Sequence, residues 1–263
     1  MKKLIIANIK TAFPEKPDCE IRKIASANSK HIFLTVFEFL WFAGRSEKLD
    51  AMMNFDTEYT LTMREAKESG RGLIWVSPHL GNWELAGFQI PRTAQIPFAV
   101  VVRRQNNPFI YKLIRKSRES CGMIIIEEKG AVKGMLNALK KGFLLATLID
   151  QNTKARDGGI FVNFFGLPAA TSRAPAFFAR KLNVEVAIGV CVRKGGGYTV
   201  FAEKLPKKAA EYSSDEEMIQ ELMNITERLI RKYPEQYLWL YKRWQHIPEN
   251  IPGELEKKYP FYS

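Results

Sequence analysis

Several features that mark common protein classes are missing from this sequence. It has only three cysteines among 263 residues, and they lie far apart, which argues against a disulfide framework or a zinc site and for reduced thiols. There is no HExxH motif or cysteine–histidine cluster, so no metal is expected. There is also no G-x-S-x-G motif, which argues against an α/β-hydrolase with a serine nucleophile.

Long apolar runs are missing too. No stretch approaches the roughly 20 apolar residues that span a bilayer, and the short apolar run after the N-terminal lysines does not have the pattern of a secretory signal. The nearest candidate is HIFLTVFEFLWFAG, residues 31–44, which Glu38 interrupts. Its apolar side chains cover most of a helix circumference. We therefore expect this helix either to be buried or to lie in lipid, and burial is the favoured alternative.

Acidic residues are few relative to basic ones. Forty lysines and arginines stand against 28 aspartates and glutamates, a net charge of +12. Such an excess suits an acidic partner, which leaves nucleic acid, an anionic membrane and phosphorylated molecules as candidates. Aromatic and basic residues alternate near Trp239 and Arg243, but no nucleic-acid-binding motif accompanies them, so no nucleic-acid partner is expected. A non-catalytic basic protein that binds membranes or nucleic acid is the remote alternative.

The order of predicted elements indicates an α/β protein. Residues 1–56 form a predicted helical segment, which is a candidate for membrane association, and residues 57–263 form the predicted catalytic domain. Short β-branched runs such as GLIWVS, PFAVVV and FLLATLID alternate with helical patterns, which predicts a mixed, mostly parallel sheet flanked by helices. Residues 184–205 are predicted to form a hairpin, and residues 214–233 a long helix.

Two ionisable residues lie at the ends of predicted strands. His79 comes after LIWVSP and Asp150 after LLATLI, and in parallel α/β sheets sites lie beyond the carboxyl ends of strands. Asn82 is a good N-cap, which places His79 in a turn and Glu84 in the first helical turn. There, Glu84 is expected to accept a hydrogen bond from one ring nitrogen and leave the other as a general base. The alternative is that His79 is only a hydrogen-bonded residue of the turn.

Four segments of the sequence, in order, resemble those of the lipid A biosynthesis late acyltransferases, within the wider lysophospholipid and glycerol-3-phosphate acyltransferase group. They are SPHLGNWELAG (77–87), VVRRQNNPFIYKLIRKSRESCG (101–122), the run from GMLNALKKG to APAFFAR (134–180) and YPEQYLWLYKRW (233–244). Four ordered segments are far more specific than any one of them. The resemblance implies a glycerol-3-phosphate acyltransferase-like fold.

The resemblance also implies a reaction. A fatty acyl chain is expected to move from acyl carrier protein to a hydroxyl of a phosphorylated lipid A precursor or related glycolipid, with no cofactor beyond the acyl thioester. The alternative within the same class is a lysophospholipid or phosphoinositide-mannoside acyltransferase that uses acyl-coenzyme A. Members of the family usually carry a transmembrane helix ahead of this region, and nearly all of it is absent from this sequence. We therefore expect peripheral attachment to the anionic cytoplasmic face of the inner membrane.

The resemblance assigns roles to the candidate catalytic residues. His79 takes the position of the general base and Glu84 that of its orienting partner, while Arg118 and Asp150 match charged positions that the family is thought to need for activity. From its chemistry, Arg118 could hold a phosphate, a phosphopantetheine or the oxyanion, and we favour a phosphate or a contact with Asp150. The alternative is that Arg118 simply lies on a solvated basic face of its helix.

Further residues are candidates for substrate contacts. Arg103, Arg104 and Asn107 match the family's contacts to donor or acceptor, and Arg173 opens the helix after PAATS. Ser77 lies two residues from His79, so it is the one candidate for a covalent acyl-enzyme. Direct transfer is expected instead, because no serine or cysteine has an evident base.

Overall fold

The structure is a computed structural model that describes residues 2–102, 107–128 and 130–262. The chain opens with helices and one short strand: α1 (Lys2–Ala12), α2 (Asp18–Phe42), β1 (Met53–Phe55) and α3 (Thr57–Ser69). Alternating strands and helices follow: β2 (Leu73–Ser77), α4 (Trp83–Ala94), β3 (Phe98–Val102), α5 (Pro108–Ser120), β4 (Met123–Glu127), α6 (Ala131–Lys140) and β5 (Leu144–Leu148). The remainder comprises β6 (Gly159–Phe164), β7 (Leu167–Ser172), α7 (Ala174–Leu182), β8 (Glu185–Lys194), β9 (Gly197–Lys204), α8 (Asp215–Lys232) and α9 (Gly253–Glu256).

Within these residues, seven strands form one sheet in the order β1-β9-β8-β2-β5-β3-β4. Every neighbouring pair is parallel except the hairpin of β8 and β9. The prediction of a mixed, mostly parallel sheet flanked by helices is therefore confirmed. The antiparallel pair β6–β7 was not predicted, because its sequences, GIFVNF and LPAATS, do not alternate regularly between apolar and polar residues.

Strand β2 lies near the middle of the sheet and all of its residues are buried. Its sequence, LIWVS, is nearly continuous in apolar residues, as expected for a strand covered on both faces. Beside it, β5 runs parallel with Ser77 opposite Leu148. The two chains therefore leave the sheet side by side, and His79 and Asp150 each follow the paired residues at the same distance along the chain.

The N-terminal helices pack onto the α/β core. Ile5, Ile9 and Phe13 of the N-terminal segment and Ile21 of α2 belong to the same buried cluster as strand residues such as Val76. Two buried asparagines of these helices also bind the backbone of residues 235–241, a segment near the C-terminus that we call the strap. Their side-chain amides donate to carbonyl oxygens at both ends of this segment at distances of 2.6–3.0 Å.

Helix α2 does not have the predicted environment. The favoured expectation that residues 31–44 are buried is wrong for one face of the helix, where Phe33 is 72% and Trp41 51% exposed. The exposed apolar stripe, called the α2 stripe here, comprises Phe33, Val36, Phe37, Leu40 and Trp41. The opposite face packs on the protein with the polar residues His31 and Thr35 buried. None of the helices within the described residues is long and apolar enough to cross a membrane.

Candidate active site

A tight turn between β2 and α4 carries His79. Asn82 caps α4, since its side-chain oxygen accepts a hydrogen bond from the Leu85 amide at 3.1 Å. This cap ends the turn and begins the helix, as the sequence predicted. His79 therefore lies beyond the carboxyl end of β2, and Glu84 lies in the first turn of α4.

Backbone hydrogen bonds hold this turn from two sides. The amide of Gly81 donates to the Gln236 carbonyl oxygen at 2.9 Å, and the carbonyl oxygen of His79 accepts from the Leu238 amide at 3.0 Å, so the strap pairs with the turn. On the other side, the Asn82 amide donates to the Cys191 carbonyl oxygen of β8 at 2.7 Å. The strap lies within the fourth resembling segment, so part of that segment holds the His79 turn in place.

The imidazole of His79 is held by Asp150. The distance from His79 Nδ1 to Asp150 Oδ1 is 2.7 Å, and the backbone amide of His79 donates to Asp150 Oδ2 at 2.9 Å. An ionised carboxylate only accepts hydrogen bonds, so Nδ1 carries the proton and Nε2 is unprotonated, with a lone pair that can accept. The amide nitrogen of Gln151 lies 3.3 Å from Nε2, and the ring of Trp83 packs edge-on against the imidazole.

The surroundings of Asp150 favour its charged form. The residue is only 2% exposed, and burial alone raises its pKa. The electrostatic attraction of the His79 ring and the hydrogen bonds from the His79 ring and backbone outweigh burial, so the pKa of Asp150 lies below its ordinary value. The charge of the buried Arg243 acts in the same direction. Asp150 is thus a fixed anion beneath the imidazole.

Glu84 does not have the predicted partner. Its carboxylate pairs with Arg118, whose Nη2 lies 2.7 Å from Oε1 and whose Nε lies 3.3 Å from Oε2. The expectation that Glu84 accepts a hydrogen bond from His79 is therefore wrong in this structure, and so is the expected contact of Arg118 with Asp150. The reason is geometric: Asp150 leaves the strand adjacent to β2 beside His79, whereas Glu84 in α4 points toward the last turn of α5.

The remaining candidates are not gathered at His79. Asn107 caps α5 by accepting hydrogen bonds from the backbone amides of the next turn. Arg173 is exposed at the start of α7. Arg103 and Arg104 lie outside the described residues. The hydroxyl of Ser77 donates to the neighbouring Pro78 carbonyl oxygen at 3.1 Å and not to His79.

Two contacts at the site were missed from the sequence. Gln151 stands next to Asp150 in the chain, so the Asp-Gln pair was a usable signal. Tyr237 offered none, because it is 87 residues from Asp150, yet its hydroxyl interacts with that carboxylate. No group of three or more His, Cys, Asp or Glu side chains suited to a metal occurs among the residues that the structure describes.

The sequence profile of the bacterial lipid A biosynthesis acyltransferases matches residues 2–246. The chain belongs to this family. It is 28% identical over 259 residues to a lipid A biosynthesis lauroyltransferase of Escherichia coli K12, which is 95% of this chain and 81% of that protein. A lipid A biosynthesis palmitoleoyltransferase of the same strain is 24% identical over 92% of this chain and 78% of its own length. A phosphatidylinositol mannoside acyltransferase of Mycolicibacterium smegmatis is 26% identical over 51% of this chain and 44% of its own length.

The family predicted from the four segments is therefore confirmed, and the chain is an acyltransferase. The matched region includes both N-terminal helices, the His79 turn and the strap. The contacts described above for His79 lie within the part of the chain that matches the family.

Proposed function

We propose that this acyltransferase moves a fatty acyl chain from an acyl carrier protein thioester to a hydroxyl of a phosphorylated lipid A precursor. His79 acts as the general base and Asp150 orients it. The 2.7 Å contact between His79 Nδ1 and Asp150 Oδ1 carries this proposal. A histidine whose tautomer is fixed by a buried carboxylate is the arrangement that activates hydroxyl groups in other acyl-transfer sites.

The proposed reaction follows from the unprotonated state of His79 Nε2. The acceptor hydroxyl replaces the Gln151 amide at Nε2 and loses its proton to the ring while its oxygen attacks the thioester carbonyl carbon. The C–S bond then breaks, and the departing thiolate takes the proton back from Nε2. During the step His79 is positively charged, and the anionic Asp150 stabilises that charge.

Direct transfer is favoured over a covalent acyl-enzyme. The hydroxyl of Ser77 is engaged with the Pro78 carbonyl oxygen. Burial raises the pKa of the Cys191 thiol to about 12 and also raises that of Cys121, so neither forms the thiolate that acts as a nucleophile. Cys19 is exposed in the first turn of α2.

The pair of Glu84 and Arg118 suits a phosphorylated acceptor. A guanidinium has five N–H donors, and Glu84 engages Nε and Nη2 of Arg118. Among the residues that the structure describes, none accepts a hydrogen bond from Nη1, which leaves that nitrogen for an acceptor phosphate. Arg103, Arg104 and Arg173 are further candidates for phosphate or carrier-protein contacts on this basic protein.

The α2 stripe supports peripheral attachment at the cytoplasmic face of the inner membrane. Its residues lie three and four apart and form one exposed apolar face. The side chain of Arg45 packs over the Trp41 ring at the end of this helix. An aromatic apolar face with basic neighbours, on a protein of net charge +12, is the pattern of a helix that lies in an anionic membrane interface.

The decisive experiment is an acyl-transfer assay with purified protein, acyl carrier protein loaded with chains of different length, and a lipid A precursor. Mass spectrometry of the products is expected to show one added ester. His79→Ala is expected to lower the rate by about 10²–10⁴, while His246→Ala, a partly exposed histidine outside the turn, stays at the wild-type rate. Near-normal transfer by His79→Ala, or transfer only from acyl-coenzyme A to a lysophospholipid, would overturn the proposal.

Membrane attachment is tested by flotation with vesicles that contain anionic lipids. The double variant Phe37→Glu/Trp41→Glu is expected to remain unbound, because two charges then replace the apolar centre of the α2 stripe. Phe261→Glu is the matched control, since Phe261 is 88% exposed outside that helix. Equal flotation of all three proteins would show that the α2 stripe is not the attachment surface.

A further inference from the structure

Helix α2 turns its polar residues inward and its apolar residues outward. His31, Thr35 and Glu38 lie four and three residues apart on the face that packs on the protein, opposite the α2 stripe. A helix on a folded protein normally buries its apolar face. Burying charged groups is costly and does not by itself stabilise a fold. The inward polar face therefore calls for a reason beyond packing.

These polar residues contact the turn that carries His79. Glu38 Oε2 accepts a hydrogen bond from the Asn82 side-chain amide at 2.8 Å. His31 Nε2 lies 3.0 Å from the Gly81 carbonyl oxygen. Both residues of α2 thus bind the two residues that directly precede α4.

Arg193 of β8 closes this arrangement. Its Nη2 lies 2.5 Å from Glu38 Oε2 and its Nε lies 3.3 Å from Oε1, while its Nη1 lies 2.6 Å from His31 Nδ1. A guanidinium only donates, so His31 Nδ1 accepts and Nε2–H donates to Gly81. Burial and the charge of Arg193 lower the pKa of His31 to about 4, which keeps the ring neutral.

The Asn82 side chain connects this arrangement to the catalytic turn. Its oxygen caps α4 by accepting from the Leu85 amide, and its nitrogen donates to Glu38. With both ends engaged, the amide has one orientation. Without the carboxylate at Glu38, the Asn82 nitrogen loses its acceptor and the amide can rotate away from the cap. The turn that carries His79 precedes Asn82, and the helical turn that carries Glu84 follows it. Both turns would then become more mobile.

We propose that Glu38 is a positioning residue of this acyltransferase, which acts through Asn82 to fix the turn that carries His79. This inference rests on the proposed function of His79 as the base. Helix α2 then has two roles: its outer face, the α2 stripe, attaches the protein to the membrane, and its inner face holds the turn that carries His79.

The test exchanges the hydrogen-bond donor and acceptor between positions 38 and 82. In Glu38→Gln the new NH₂ group must face an N–H donor of Arg193 or Asn82, because each Glu38 oxygen accepts from at least one of them. This variant is therefore expected to lower kcat about tenfold with the acceptor KM changed less than about twofold, since orientation is weakened and binding is kept. Asn82→Asp places two carboxylates against each other and is expected to be slower still. The combined variant, Glu38→Gln/Asn82→Asp, restores the contact with donor and acceptor exchanged and is expected to be at least tenfold faster than Asn82→Asp.

Asp215→Asn is the matched control. It breaks an ion pair between Asp215 and Arg180 at 2.7 Å, with side chains 15% and 32% exposed, similar to the 13% and 24% of Glu38 and Arg193. This pair joins α7 to α8 and does not contact the turn. Asp215→Asn is expected to lower the melting temperature and leave kcat per folded molecule unchanged.

Hydrogen exchange provides a readout that does not depend on acyl transfer. The Leu85 amide is expected to exchange about fivefold faster in Glu38→Gln, as for a weakened helix cap, and at the wild-type rate in Asp215→Asn. Unchanged exchange and kcat in Glu38→Gln would overturn the inference, as would a combined variant no faster than Asn82→Asp. If wild-type protein transferred no acyl group, the proposed function would fail while the exchange measurement still tested the role of Glu38.

Discussion

Replacing Asp150 with asparagine tests most sharply how His79 is held. The carboxylate accepts hydrogen bonds from the His79 ring at 2.7 Å and from the His79 backbone at 2.9 Å, one on each oxygen. Asparagine has nearly the same shape but only one accepting oxygen. Its NH₂ group must therefore face one of two N–H donors, so the variant loses the negative charge and at least one hydrogen bond.

The expected loss of activity follows from the charge. An imidazolium and a carboxylate with centres about 4 Å apart attract each other by roughly 4 kcal/mol at an effective dielectric constant of about 20. In the proposed reaction this attraction exists only while His79 carries the transferred proton, so its loss raises the barrier. Each 1.36 kcal/mol is about a factor of ten in rate, and Asp150→Asn is therefore expected to lower kcat about 10³-fold. The acceptor KM should change little, because Asp150 is 2% exposed beneath the imidazole.

The assay measures thiol release from the acyl donor together with the mass of the esterified product, at equal amounts of folded protein. Asp157→Asn is the control, because this exposed aspartate lies a few residues further along the chain. It should match the wild type. If Asp150→Asn stayed within about tenfold of the wild type while Glu84→Gln was inactive, the orienting carboxylate would be Glu84 and our assignment would be refuted.

Three further predictions concern charge, pH and backbone. Arg118→Lys is expected to lower kcat/KM for the acceptor about tenfold, since lysine cannot engage both oxygens of Glu84 at once; an unchanged value in steady-state kinetics would contradict this. The pKa of His31 falls from its ordinary 6.5 to about 4 on folding, so the unfolded chain binds the proton more readily. The contribution of His31 to the free energy of unfolding is then complete above about pH 6.5 and is lost as the pH falls toward 4, by at most roughly 3 kcal/mol. The melting temperature of His31→Asn should therefore decline less steeply than that of the wild type over this pH interval. Gly81 has φ +71°, and a Cβ there would meet a backbone oxygen of β8 at 1.9 Å, so Gly81→Ala should cost more than about 2 kcal/mol in denaturant unfolding. Gly44→Ala, with φ +70° and open space around it, should cost only about 1 kcal/mol.

Much of the sheet could be predicted because its strands are short, apolar and interrupted by helix signals. The five residues of β2 are all buried, and such runs differ clearly from the amphipathic helices between them. The same pattern placed His79 and Asp150 at strand ends, and therefore at one edge of the sheet. The cap at Asn82 could also be predicted, since it depends only on neighbouring residues.

The partner of His79 could not be chosen from the sequence. Asp150 is 71 residues away, whereas Glu84 is near in the chain and fitted a local motif. Which carboxylate reaches the ring depends on the order of strands, and the apolar pattern does not give that order. The orientation of α2 was hidden for a related reason. A helix that is apolar on most sides does not indicate which side faces water, and its inward face was decided by Arg193 and Asn82 on distant elements.

The strap has a consequence for how the protein becomes active during synthesis. Residues that bind the His79 turn include Gln236 and Leu238, which a ribosome adds long after the turn itself and the helices α1 and α2. A chain that ends before the strap can have its sheet in place and still lack these partners of the His79 turn. Acyl transfer should therefore begin only after the strap has been synthesised, and a protein cut before the strap should be inert instead of partly active.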